Sequence, residues 1–335
     1  MRYAVWNNKG GVGKTFLSFV LGTELANNKS DEHVLLVDMC PQANLSEIIL
    51  GGNGKGAAAL TKLIDDRKTI GGYFDSRISS PHKITGDETS YLIPANSLNP
   101  DMPQNLWLIA GDPSLEIQAQ VISQISGQTL PEESWKNVHS WLKDLVIACS
   151  QKLGMGKTTV FIDCNPSFSA YTEVSMMAAE RIIVPCSSDG SSARAINNIG
   201  ALLYGIGMNK AHLAVSFASK AKQFGMQLPV VHSVLLNRST QYNKKASKAF
   251  NAMFDAIKLK AVELREKDPS RFAGGKLNFQ EIPDNHSVAI VCSHLGKPLY
   301  TISPGQYQVH DTNPQVNDEP LDRYKAAVKD LVATL

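Results

Sequence analysis

The sequence lacks any long apolar run. None reaches the roughly 18 residues that a membrane-spanning helix needs, so no such span is expected. It also lacks a dominant charge: 33 Lys and Arg stand against 31 Asp and Glu, a formal +2 over 335 residues. Attraction to nucleic acid or to an anionic surface must therefore come from a local patch. Cysteine is sparse and unpatterned. Cys40, Cys149, Cys164, Cys186 and Cys292 show no CxxC or other metal-ligand spacing, which reads as reduced thiols in a cytoplasmic protein. The opening Met1–Trp6 stretch is too short and too soon interrupted for a secretory leader. Internal repeats and low-complexity tracts are missing too. What is present is ordinary globular usage, 43% hydrophobic and 19% charged.

Short runs rich in β-branched and aromatic residues recur between helical stretches. Tyr3–Trp6, Val34–Val37, Leu106–Ile109, Thr159–Ile162, Ile182–Pro185, Val230–Leu236 and Asn278–Ile282 read as buried strands, with helices over Phe16–Ala26 and Trp135–Leu153. Strand and helix in alternation predict an α/β fold: a doubly wound, mostly parallel sheet of about seven to eight strands flanked by helices. Residues 1–335 are expected to form one domain. The stretch 51–103 is rich in Gly, Ser, Asp, Asn and Pro, and is expected to be a surface insertion with only a short helix over Ala57–Asp65.

The most informative segment is Asn8-Lys9-Gly10-Gly11-Val12-Gly13-Lys14-Thr15, which follows a strand and precedes a helix. Glycines let successive backbone N–H groups turn inward and form an anion nest at a helix N-terminus. Lys14 then reaches the β- and γ-phosphates of a nucleotide, and the Thr15 hydroxyl ligates magnesium. The general phosphate-loop pattern is not met strictly: Asn8 stands where a glycine belongs, and a second lysine, Lys9, opens the loop. This arrangement resembles the deviant-Walker P-loop ATPases, the ParA/MinD family that includes the nitrogenase iron protein and the arsenite-pump ATPase. The resemblance implies ATP and Mg2+ as cofactors, held by Gly10, Gly11, Val12, Gly13, Lys14, Thr15 and Phe16. It also implies a homodimer that forms on ATP, with Lys9 crossing the interface to the partner's phosphates.

Two carboxylate motifs extend the likeness. In Val37-Asp38-Met39-Cys40-Pro41-Gln42-Ala43-Asn44, Asp38 ends a strand, and the resemblance places it beside the phosphate loop, on the magnesium side. Cys40 takes a catalytic position where the family carries an aspartate that handles the attacking water. A thiol is a weak acceptor without fixed charge, so either hydrolysis is slow, the reading we favour, or another group orients the water. In Ile162-Asp163-Cys164-Asn165-Pro166-Ser167, Asp163 is the second magnesium-side carboxylate, and Asn165 replaces a family proline. Phe16 stands where relatives have a hydroxyl residue against the α-phosphate.

Further along, Asn237 is read either as the residue that contacts the adenine edge or as a strand-ending turn residue, and Pro283-Asp284 resembles the loop against the adenine. ParA-like proteins bind DNA without sequence preference, and a ParB-like partner stimulates hydrolysis and release. Such a surface is expected where ten Lys and Arg between 238 and 276 face four acids. Tyr242–Leu264 has helical periodicity, and Lys244, Lys245 and Lys248 point away from its apolar stripe, toward DNA or simply toward water. The resemblance implies a cytoplasmic protein, nucleoid-associated when loaded with ATP, and no N-terminal helix-turn-helix is expected. The last helix has an ordinary core-facing stripe, so a MinD-like membrane anchor is not expected. A P-loop biosynthetic ligase or amidotransferase is the other alternative, and the cysteine spacing disfavours an iron–sulfur ATPase.

Overall fold

Valine- and isoleucine-rich runs leave no polar face to show to water, so they belong in the middle of a parallel sheet covered on both sides. The computed structural model places them there. It describes residues 1–335 except 155, 188, 240, 243, 244 and 247, and gives the backbone alone for 190, 238, 239, 241, 242, 245, 246 and 248–251. The strands include β1 (Arg2–Val5), β2 (His33–Met39), β3 (Ile93–Pro94), β4 (Leu106–Ile109), β5 (Thr158–Cys164), β6 (Arg181–Cys186), β7 (Val230–Ser239), β8 (Gln241–Tyr242), β9 (Lys245–Ala246) and β10 (Phe279–Pro283). Eight of these form one sheet in the order β10-β7-β6-β1-β5-β2-β4-β3. Every described pairing in it is parallel except β3 with β4, where Ile93 faces Leu108. The expected fold class is observed.

Alternation along the strands divides the core in two. Ala4 and Trp6, with Leu35, Val37 and Met39, point to the face covered by the helices Trp141–Leu153 and Ala170–Ala178. Tyr3 and Val5, with Val34 and Leu36, point to the face covered by the helices Lys14–Asn28 and Asp318–Val332. The final helix buries Leu321, Tyr324, Val328, Leu331 and Val332, as its stripe predicts.

Three expectations need correction. The stretch 51–103 is not confined to the surface. It forms the helices Lys55–Asp65 and Ile70–Ser79 and the edge strand β3, and its Ile70, Tyr73 and Phe74 are wholly buried. Its turn-rich composition concealed this, because the apolar residues that enter the core are few and widely spaced. The helix expected over Trp135–Leu153 is interrupted at Ser140, whose hydroxyl donates back to the Lys136 carbonyl at 2.8 Å. The basic helix begins at Lys248 and not at Tyr242, because β8 and β9 pair antiparallel with Tyr242 opposite Lys245. Beyond that start, Ile257, Ala261 and Leu264 are buried as expected.

Phe74 packs on Tyr73 and Trp141, with ring centroids 5.8 and 6.0 Å away. Phe74→Ala is expected to cost about 3–5 kcal/mol in urea unfolding. A loss under about 1 kcal/mol would return this segment to the surface.

Candidate functional site

The carboxyl ends of β1, β2 and β5 meet at one place. Parallel register sets Val5 beside Asp163 and Asp163 beside Asp38, so the chain leaving β1 turns directly over two carboxylates. That turn is the glycine-rich segment. Gly11 (φ 74°) and Gly13 (φ 81°) adopt left-handed conformations that open the helix Lys14–Asn28, and Leu17 N–H donates to the Gly13 carbonyl at 2.9 Å. Asn7, fully buried, braces the turn: its amide donates to the Pro185 carbonyl at 2.8 Å, and its Oδ1 accepts the Lys9 N–H at 3.0 Å.

Lys14 folds back beneath the loop. Its ammonium donates to the carbonyls of Lys9 at 2.8 Å and Asn7 at 3.2 Å. Burial lowers its pKa, opposed by the nearby Asp163. Lys9 takes a different course: its ammonium pairs with Asp189 and donates to the Ser187 hydroxyl at 2.8 Å, both in its own chain. Burial raises Asp189, but Lys9 and the hydroxyls of Ser191 and Ser187 outweigh it and hold the carboxyl well below the usual carboxylate range. Asp189 also caps the helix Gly190–Tyr204 by accepting the N–H groups of Ser191 and Ser192.

The carboxylates differ in their surroundings. Asp38 is wholly buried and accepts from Cys40 N–H at 3.1 Å and from both the N–H and hydroxyl of Ser46, at 2.9 and 2.8 Å. Ser46 Oγ in turn accepts the Gly111 N–H at 2.8 Å, tying Asp38 to the end of β4. Asp163 accepts from the Ser18 hydroxyl at 3.2 Å, while its Oδ2 is buried without a hydrogen-bond partner, and the nearby Thr15 side chain acts to lower its pKa. Burial pushes both carboxyl pKa values up, and the Asp38 charge lifts Asp163 further. An orphaned buried carboxylate oxygen beside a hydroxyl and a second carboxylate is an all-oxygen donor set, which suits a hard divalent cation such as magnesium. Burial also pushes the Cys40 thiol up, to about 12, so it stays protonated at neutral pH.

A cleft of about 700 Å³ opens over this ground. Its lining includes Gly10, Gly11, Gly13, Lys14, Thr15 and Phe16 of the turn and helix after β1, together with Cys40, Cys164 and Asn165. Among the sequence-predicted residues, Val12 lies buried beneath the loop and its carbonyl accepts from Asn237 Nδ2 at 2.8 Å. Asn237 thus supports the phosphate loop from β7, and neither it nor Pro283 nor Asp284 lines the cleft. Phe16 stacks toward Tyr324 of the last helix at 6.4 Å. Lys244 lies outside the described residues, as do the side chains of Lys245 and Lys248. Sequence reasoning missed Asn7 and Ser46, since nothing local marks a serine eight residues past Asp38 as its partner.

With this geometry in view, comparison with known proteins is informative. Residues 2–110 match the AAA domain family, which covers the loop and the Asp38 motif. The apo structure of McdA from Cyanothece superposes with a TM-score of 0.63 at 17% identity, covering 98% of each chain. A putative plasmid partition protein from Borrelia burgdorferi B31, bound to AMPPNP, gives 0.55 at 15% identity over 100% of this chain and 98% of that one. Cobyrinic acid a,c-diamide synthase from Mycobacterium smegmatis, with an ATP analogue and magnesium, gives 0.50 at 19% identity over 76% and 78%. No curated protein sequence matches the chain. The chain thus has the α/β fold of P-loop nucleoside triphosphatases.

Lys14→Ala is expected to weaken ATP binding at least about 100-fold in titration calorimetry, because the phosphates lose their buried side-chain cation. Affinity within about threefold of the parent would place the nucleotide elsewhere.

Proposed function

We propose that this chain is a ParA-like ATPase that binds Mg-ATP at the glycine loop, pairs face to face with a second copy when loaded, and positions a cargo on DNA. The observation that carries the reading is the two-lysine loop set directly over a pair of buried carboxylates. Loop N–H groups and Lys14 bind the phosphates, while Gly10, Gly11, Gly13 and Phe16 line their path. Thr15, Asp38 and Asp163 are the residues that would hold magnesium, which neutralises phosphate charge when bound. Asn237, Pro283 and Asp284 are assigned to the base side. Asn237 acts there through the Val12 carbonyl, by fixing the loop.

Lys9 is the switch in this reading. Phosphoryl transfer relies on positioned cations, and a lysine supplied by the neighbouring subunit makes pairing depend on the terminal phosphate. To serve a partner, Lys9 must leave Asp189 and Ser187, so a phosphate-bearing partner competes with a solvent-accessible ion pair. Such pairs contribute little, about 0–1 kcal/mol, so the competition is easily won. Cys40, protonated and without fixed charge, accounts for slow turnover in the absence of a ParB-like stimulating partner. Lys244, Lys245 and Lys248 are the proposed DNA contacts, at the start of the basic segment. No described helix is long and apolar enough to cross a membrane.

A second reading, a P-loop ligase or amidotransferase, is favoured by the likeness to cobyrinic acid a,c-diamide synthase, though that likeness spans less of the chain. The Lys9 variant separates the two. Lys9→Ala is expected to keep ATP affinity within about threefold and to lose the ATP-dependent dimer in light scattering. A normal ATP-dependent dimer would remove Lys9 from the pairing, and full turnover as a monomer supports the ligase instead.

DNA shift assays with ATP, ADP and a slowly hydrolysed analogue test the rest. ATP-dependent binding without sequence preference is expected, its log affinity falling against log salt with a slope of about −5 for six phosphate contacts. Neutralising Lys244, Lys245 and Lys248 together should weaken it on every sequence alike. Unchanged affinity moves the DNA surface elsewhere.

A further inference from the structure

Two of the residues that depart from the family pattern at the cleft, Cys40 and Asn165, are brought together by the fold. Cys40 follows β2 and Asn165 follows β5, and Asn165 Nδ2 lies 4.0 Å from Cys40 Sγ. Both line the cleft that the glycine loop opens on. The Asn165 carboxamide is held in one orientation. Its Oδ1 accepts both the N–H and the hydroxyl of Ser167, each at 3.0 Å, which leaves Nδ2 as the end turned toward Cys40. Its backbone is fixed as well, because the Asn165 carbonyl accepts from Trp6 Nε1 at 3.1 Å, at the exit of β1. A neutral donor is therefore held in place in a lining that also includes Lys14 and Thr15. Its only described partner there is a thiol, a weak acceptor that releases it readily.

We propose that Asn165 donates its amide N–H to the terminal phosphoryl group of the bound nucleotide, stabilising the charge that grows there during transfer. This inference rests on the ATPase reading and adds a residue to it. Proline, the family residue at this position, has no donor to offer. Cysteine at position 40 completes the arrangement: a carboxylate there would accept the Asn165 amide strongly and turn it away from the phosphates. The two departures form one device, in which a fixed donor to the phosphoryl group stands in for a carboxylate acting on water. A preorganised donor of this kind costs no reorientation when charge develops.

The test compares ligands that differ at the terminal phosphate, using the full chain with magnesium. Asn165→Ala is expected to weaken ADP–aluminium fluoride binding at least about tenfold and to slow turnover to the same degree, with ADP affinity held within about twofold. Ser167→Ala removes one of the two pins on the carboxamide from an exposed position, and should give a loss of about threefold in the same direction. In a Cys40→Asp background, Asn165→Ala should change analogue affinity by less than about twofold, because the donor is already taken. Equal losses for ADP and its fluoride complex would reduce Asn165 to a loop-stabilising residue and overturn the inference while leaving the ATPase reading intact. So would a full tenfold effect in the Cys40→Asp background. A parent chain that binds neither ligand sinks the ATPase reading and this inference with it.

Discussion

Parallel register between β1, β5 and β2 is the constraint on which the site depends. It aligns Val5, Asp163 and Asp38 in one row at the carboxyl edge, so two carboxylates share a small volume under the glycine turn. Burial pushes both carboxyl pKa values up, and the nearby Asp38 charge lifts Asp163 further. A divalent cation relieves the conflict. The same register brings the loop after β5 against the chain leaving β1, which is how Trp6 comes to anchor Asn165. Chemistry-bearing residues from positions 7 to 189 are gathered by backbone pairing, and the helices on both faces serve to hold that pairing dry.

Lys9 and Lys14 are five residues apart and meet opposite fates. Lys14 is drawn inward, where carbonyls of its own loop satisfy it and burial lowers its pKa. Lys9 is drawn outward to a carboxylate on a neighbouring strand's loop, where it remains accessible. One cation is fixed and one is held on a release. On the proposed reading this division matches their tasks, since binding a nucleotide requires a permanent charge and recruiting a partner requires a mobile one.

The sheet was legible because its buried strands are short runs of Val, Ile and Leu, and seven of them fall where the pattern puts them. The eighth, Ile93–Pro94, was not: two residues carry no period, and the proline that marks it reads as a turn. Loop chemistry was legible wherever residues close in sequence cooperate, as from Gly10 to Thr15. Contacts across strands were not. Asn237 on Val12 and Asp189 on Lys9 each join residues whose proximity is a product of register, while Ser46 on Asp38 depends on how the helix after β2 folds back over the strand end. The basic helix shows the opposite error. Its apolar spacing extends past its true start, because periodicity continues into the residues that pair as β8 and β9.

The close packing of Gly52 on Gly296 joins two helices that both line the cleft, one through Glu47 and Ile48 and the other through Ser293. A methyl group at Gly52 would come within 2.3 Å of the His294 carbonyl oxygen, and one at Gly296 within 2.4 Å of the Gly51 carbonyl carbon. Asn99 clasps the same junction through the carbonyls of Ile49 and Gly296, at 3.0 and 2.8 Å. The helix Asn44–Ile49, which begins four residues beyond Cys40, is thereby geared to the helix His286–Leu295 without slack between them. The part of the cleft wall that these two helices share is therefore set by backbone packing, with no side chain at Gly52 or Gly296 to hold them apart.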